Sequence, residues 1–175
     1  MKLNKLMFRE YDIRGIWNED ITEEISYYIG RAYATKLLSL KKNKMIVGYD
    51  NRLSSPIIEK NLVKGLTDGG VDVVRLGLVT TPMYYYAWDK LNIHCGIMIT
   101  ASHNPKEYNG FKMSYNGIHN CFGNEVAELY YIILNGIYSK GNGSITDANI
   151  KEDYIKMINS HINMGSNKLK VIYDC

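Results

Sequence analysis

Apolar side chains recur at helical spacing between about Ile21 and Leu40, where Ile25, Tyr28, Ile29, Ala32 and Leu37 share a stripe with Lys36. Asp20 or Thr22 stands where a side chain can cap that helix. Before it, Phe8 to Trp17 reads as an extended opening segment. Lys44 to Tyr49 (KMIVGY) is a short apolar run, followed by the polar cluster Asp50 to Ser55 and by Pro56, a residue suited to a helix's first turn. The pattern predicts strand, loop, helix. Ile57, Ile58, Leu62, Val63 and Leu66 would face inward until Gly69 and Gly70 end that helix. Val71 to Leu76 predicts a second strand, and Thr80 or Thr81 with Pro82 a third helix over Met83 to Leu91. His94 to Thr100 (HCGIMIT) is apolar enough throughout to be a central strand. Asn109 to Tyr115 alternates and follows too closely for a crossover, so it is expected to return antiparallel. Glu125 to about Leu134 predicts the last helix of this unit.

Strands alternating with helices predict a three-layer α/β/α domain around a small mixed, mostly parallel four-stranded sheet whose last strand is antiparallel. Tyr138 to Asp147, with Gly141 and Gly143, reads as a linker. Beyond it a helix is expected over about Ile150 to Ile162 and a strand over Leu169 to Asp174. One strand cannot complete a sheet of its own. The expected division is therefore a domain over residues 1–148, then a helix and the first strand of a truncated second domain over 149–175. The free edge of that strand suggests dimerisation by strand pairing.

Composition adds little to the fold and narrows the function. The 175 residues are 46% hydrophobic and 22% charged, as in an ordinary globular protein. Twenty-one Lys and Arg against 18 Asp and Glu give a net charge of +3 with no basic block, so nucleic acid is not an expected partner. No apolar run approaches the ~18 residues of a membrane span, and MKLNKLMFREYD has no signal-peptide stretch. Cys95, Cys121 and Cys175 form neither a CxxC pair nor an even set, which predicts reduced thiols in a cytoplasmic protein. The carboxylates are scattered, without DxDxD spacing, and no His pair stands at helical intervals for a self-sufficient metal site.

The informative chemistry lies in Thr100 to Pro105, TASHNP, a loop directly after the expected central strand, where ligands of α/β sheets bind. Ser102 is a candidate nucleophile or phosphate carrier. A hydrolase triad fits poorly, because adjacent Ser102 and His103 point apart in an extended segment and no GxSxG elbow surrounds the serine. A phosphoserine of about −1.5 to −2 charges needs cations. Lys112 on the return strand and Arg14 and Arg52 in other loops could supply them. The plain alternatives are a polar turn shaped by Pro105, a solvated Lys112, and an Arg14 that pairs with Asp12 or Asp50.

FREYDIRG (Phe8 to Gly15), VGYDNRLSS (Val47 to Ser55), TASHNP and NGFK (Asn109 to Lys112) together resemble the first domain of the phosphohexomutase family, and the final VIYDC resembles the opening strand of its second. The resemblance implies the amino-terminal domain of a phosphomannomutase/phosphoglucomutase, with Ser102 phosphorylated in the active enzyme. Ser102 would pass its phosphoryl group to a hexose phosphate, giving a bound 1,6-bisphosphate whose other phosphate returns to the serine. It further implies Mg2+ on the phosphate of Ser102 and glucose 1,6-bisphosphate as activator. Lys112 is implied as general acid/base or phosphoryl clamp. His103 and Asn104 would shape the loop, Tyr11 and Arg14 would approach from the opening segment, and Asp50 and Arg52 would support the loop structurally.

The family's DGDxDR metal loop, GExSGH sugar loop and last phosphate-binding loop belong to three further domains and do not occur in this sequence. The chain alone is thus expected to be inactive, and those three domains are its expected partners. FREYDIRG is closer to the mannose/glucose mutases than to the phosphoglucosamine mutases, whose opening resembles FGTDGIRG. A noncatalytic sugar-phosphate-binding module remains the alternative from another class.

Overall fold

A computed structural model describes residues 3–117, 119–163, 165, 168 and 170–174. After a 3-10 turn, Lys5–Met7, the elements are β1 Ile13–Ile16, α1 Glu23–Ser39, β2 Lys44–Tyr49, α2 Ser55–Asp68, β3 Asp72–Leu78 and α3 Thr81–Leu91. There follow β4 Gly96–Ile99, β5 Tyr108–Ser114, α4 Asn124–Asn135, β6 Ile145–Asp147 and α5 Lys151–His161.

Local chemistry explains most of these boundaries. Thr22, not Asp20, caps α1: its hydroxyl oxygen accepts the Ile25 N–H at 3.1 Å, with Glu23 and Glu24 at the positive end of the helix. Pro56 and Pro82 occupy the first turns of α2 and α3, where a missing N–H costs nothing. Asn92 and Gly136 close α3 and α4 in the left-handed conformation.

The sheet has six strands in the order β1-β5-β4-β2-β3-β6, two more than the sequence suggested. The opening segment supplies β1, which pairs with β5. The segment expected to be wholly a linker supplies β6, paired parallel to β3. β5 is antiparallel to both β1 and β4, and all other pairs are parallel, so β5 alone runs against the rest.

Side-chain alternation on the strands separates two cores. Met45, Val47, Ile97, Ile99, Phe111 and Met113 join the inner faces of α1, α2 and α4. On the other face Ile46, Leu76 and Met98 pack with Tyr84, Ala87 and Trp88 of α3, a cluster that takes no residue from β1 or β5. Helix α5 lies on the outside of α3, with Tyr86 and Tyr154 edge to face and Lys90 paired to Asp153. No helix of the described residues is long and apolar enough to cross a membrane. Of the expected closing strand, Leu169 lies outside the described residues, while 170–174 have no strand assignment and are exposed.

Candidate functional site

Because β1, β2 and β4 run the same way, the segments that follow them meet at one edge of the sheet. Trp17 donates its backbone N–H to the Glu107 carbonyl at 2.8 Å, joining the end of β1 to the loop after β4. That loop is TASHNP. Thr100 still belongs to the ladder, its N–H bonded to Gly110 at 2.9 Å, and its hydroxyl accepts the Ser102 N–H at 2.9 Å. Ser102 then takes a left-handed backbone with φ +56°. For a residue with a Cβ this costs about 1–2 kcal/mol, which the surrounding contacts must offset. The turn exposes Ser102 and His103, with the serine hydroxyl 3.5 Å from the imidazole Nδ1, at the outer limit of a hydrogen bond.

Arg14 and Arg52 hold the loop from two sides. Arg14 donates to the side-chain oxygen of Asn104 and to the carboxylate of Asp12, so its ionic partner is Asp12 and not Asp50. Arg52 reaches further. Its Nη1 donates to the carbonyls of Pro105 at 2.7 Å and Tyr108 at 3.0 Å, and its Nη2 to those of Ser102 at 3.1 Å and Asn104 at 2.7 Å. Its Nε bonds Asp50 at 3.2 Å. Asp50 also accepts the Ser55 hydroxyl at 2.8 Å, and the fully buried Asn109 donates to Ser54 at 2.8 Å and Ser55 at 3.0 Å. VGYDNRLSS, TASHNP and NGFK are therefore one hydrogen-bonded unit.

Lys112 is not brought into contact with Ser102. It lies on β5 opposite Met98, and alternation with Phe111 and Met113 turns it toward the side of the sheet that carries α3. Arg14 shares that face. It pairs with Gly110, so Lys112 is its diagonal neighbour, typically about 7–8 Å away. The Lys112 ammonium has no hydrogen bond or ion pair among the described residues. Tyr11 is 69% exposed and touches none of these groups through a hydrogen bond.

An open cleft of about 1200 Å³ lies beside the loop, lined by Trp17, Asp50, Leu53, Ser54, Ser102 and Asn104. Its lining includes Glu19, Glu23, Asp50 and Glu107 against Arg52 and Lys106, and Arg52 is already engaged. Arg14 and Lys112 do not line this cleft. No group of three or more His, Cys, Asp or Glu among the described residues could hold a metal ion.

Residues 5–136 match the family model described as phosphoglucomutase/phosphomannomutase, alpha/beta/alpha domain I. The chain belongs to that family. A phosphomannomutase/phosphoglucomutase of Pseudomonas syringae pv. tomato is 42% identical over 170 residues, which are 97% of this chain and 36% of that protein. A phosphoglucosamine mutase of Dictyoglomus turgidum is 36% identical over 170 residues, covering 93% of this chain and 38% of its own. The crystal structure of a phosphoglucomutase/phosphomannomutase family protein from Burkholderia thailandensis superposes with a TM-score of 0.87 at 31% identity, over 92% of this chain and 37% of that one. The chain thus spans little more than a third of the length of these mutases and corresponds to their domain I.

Within this family domain, Thr100, Ser54, Ser55 and Asn109 are the site-forming residues that sequence reasoning did not single out. Their presence in the family motifs was the available signal. Their mutual contacts span up to 55 positions and are invisible to local pattern.

Proposed function

We propose that this chain is the phosphoryl-carrying domain of a phosphomannomutase/phosphoglucomutase that interconverts hexose 1-phosphates and 6-phosphates. The observation that carries the reading is Ser102: an exposed hydroxyl at φ +56°, on a loop whose carbonyls are turned back onto Arg52. With those carbonyls engaged elsewhere, less negative charge faces an incoming phosphate. Such a turn suits an oxyanion, and Arg14 and Lys112 offer positive charge nearby.

In the proposed reaction the bond from phosphorus to Ser102 Oγ breaks as the free hydroxyl of a hexose phosphate attacks in line. That hydroxyl loses its proton to a base, and Ser102 Oγ leaves as an alkoxide that takes a proton. Lys112 is the candidate acid/base, with His103 at the serine hydroxyl and Asn104 fixing the loop through Arg14. The resulting 1,6-bisphosphate reorients, and its other phosphate returns to Ser102 with the proton movements reversed. Glucose 1,6-bisphosphate would load the serine at the outset. Transfer of this kind depends mainly on positioning and charge stabilisation. A magnesium ion on the phosphoserine would neutralise developing charge, and the phosphate of Ser102 would be this chain's ligand to it. The other ligands, the sugar contacts and Tyr11's neighbours would come from further domains, so this chain alone would not turn over substrate.

A full-length assay for conversion of glucose 1-phosphate and mannose 1-phosphate to their 6-phosphates tests the reading. Activity on both, lost in Ser102→Ala, is expected; activity on glucosamine 1-phosphate alone would assign the enzyme to the phosphoglucosamine mutases, a reading favoured by the 36% identical relative. No activity on any of the three, from a folded protein, would leave a sugar-phosphate-binding module.

A further inference from the structure

We propose that Arg52 is the positioning residue for the phosphoryl carrier: it fixes the backbone of Ser102 and does not itself bind phosphate. This deepens the mutase reading and rests on it. A cationic residue beside a phosphate-carrying loop invites the opposite assignment. The hydrogen-bond inventory decides between them. A guanidinium has five N–H donors in one plane. In Arg52 all five are used, one on Asp50 and four on the carbonyls of Ser102, Asn104, Pro105 and Tyr108. The side chain is only 12% exposed, so a phosphate would have to displace these partners.

The same inventory shows what Arg52 does to the loop. Four carbonyls drawn from seven consecutive residues point at one cation, which forces the chain to wrap around it. At the start of that wrap Ser102 sits at φ +56°, where its own carbonyl meets Arg52 and its N–H meets Thr100. Removing the guanidinium leaves four carbonyls with no common partner, and Ser102 is free to relax to the extended backbone that serine prefers. Asp50 orients the guanidinium and is itself held by Ser55, so the base of the clamp is built from α2's first turn. Lysine cannot substitute, since a tetrahedral ammonium has three donors and no fork.

The test has two readouts. In this chain, labelled with 15N and 13C, the Ser102 backbone shifts should report a left-handed conformation in the wild type and move toward extended values in Arg52→Lys, while the dispersion of the remaining amide signals stays that of a folded protein. In the full-length protein, Arg52→Lys should slow phosphoryl transfer from Ser102 by about 100-fold, as misplacement near 1 Å can, with KM for hexose phosphate unchanged within about twofold. Free guanidinium ion should restore at least about a tenth of the rate to Arg52→Gly, by refilling the fork's place among the carbonyls. Should Arg52→Lys fail to fold, Arg52→Gln is read in the same way. Wild-type shifts at Ser102 in the variant, or a loss that falls on KM with kcat intact, would overturn the proposal and make Arg52 a phosphate ligand. A wild-type protein that never carries phosphate on Ser102 would instead overturn the mutase reading, and the shift measurement would still stand.

Discussion

At the residue scale the buried groups behave differently from the exposed serine. Cys121 and Cys95 are both enclosed, and burial pushes the Cys121 thiol up to about 12 and that of Cys95 above its ordinary range. A thiol reacts as its thiolate, so neither should be alkylated by iodoacetamide at neutral pH in the folded protein, while both should react after unfolding. Peptide-level mass spectrometry reads each site separately; rapid native labelling of either would mean that the core opens. Glu59 on α2 is a second buried group. Burial raises its pKa, the charge of Arg75 opposes that rise, and Asp147 adds to it. The folded state therefore holds the Glu59 proton more tightly than the unfolded chain does. Below the ordinary glutamate pKa the buried carboxyl is neutral in both states and carries no charge penalty. The penalty grows as pH rises through the interval up to the raised pKa and stays constant above it. Glu59→Gln removes it, so the melting temperature of the variant relative to wild type should climb as pH rises through and above the ordinary glutamate range. A difference that stays flat, or falls, over that range would contradict the assignment.

At the scale of elements, α1 and α2 cross with Gly30 and Gly65 at the contact. A Cβ on Gly30 would strike the Leu62 carbonyl oxygen, and one on Gly65 the Tyr27 carbonyl oxygen. Both obstacles are backbone, which cannot rotate away. Gly65→Ala should therefore destabilise the domain by about 1–3 kcal/mol despite its better helix propensity, read as a lower midpoint in urea. An unchanged or raised midpoint would show that the helices can separate at little cost. Elements set by local signals were legible in the sequence: Thr22, Pro56 and Pro82 mark helix starts through their own chemistry, and the short connection after β4 requires β5 to return antiparallel. β6 was not legible. It has three exposed residues without alternation, and its partners lie some 72 positions away. Arg75 grips Asp147, and Asp72 accepts both the N–H and the hydroxyl of Ser144.

On the scale of the whole molecule, the sheet's direction explains why four separated motifs converge. With β1, β2 and β4 parallel, the end of VGYDNRLSS and TASHNP meet at one edge, FREYDIRG runs into β1 and sends Arg14 to Asn104, and β5 brings NGFK back beneath them. The motifs could be read as belonging to one family from sequence. That Arg52 binds carbonyls, that Arg14 pairs with Asp12, and that Lys112 stands apart from Ser102 needed three dimensions, because each depends on contacts between strands distant in the chain. The same architecture puts Arg14 and Lys112 on the side of the sheet that carries α3, where the apolar cluster takes no residue from β1 or β5. In the proposed enzyme further domains close over that face, and this chain alone should show no mutase activity where the full-length protein does.

The central claim, that Ser102 carries the phosphoryl group, is tested most directly by mass spectrometry of the full-length protein after incubation with glucose 1,6-bisphosphate and magnesium. One added phosphate, located to Ser102 at the peptide level and missing in Ser102→Ala, is the result this account predicts. A folded protein that gains no phosphate, or gains it equally in the alanine variant, would contradict it.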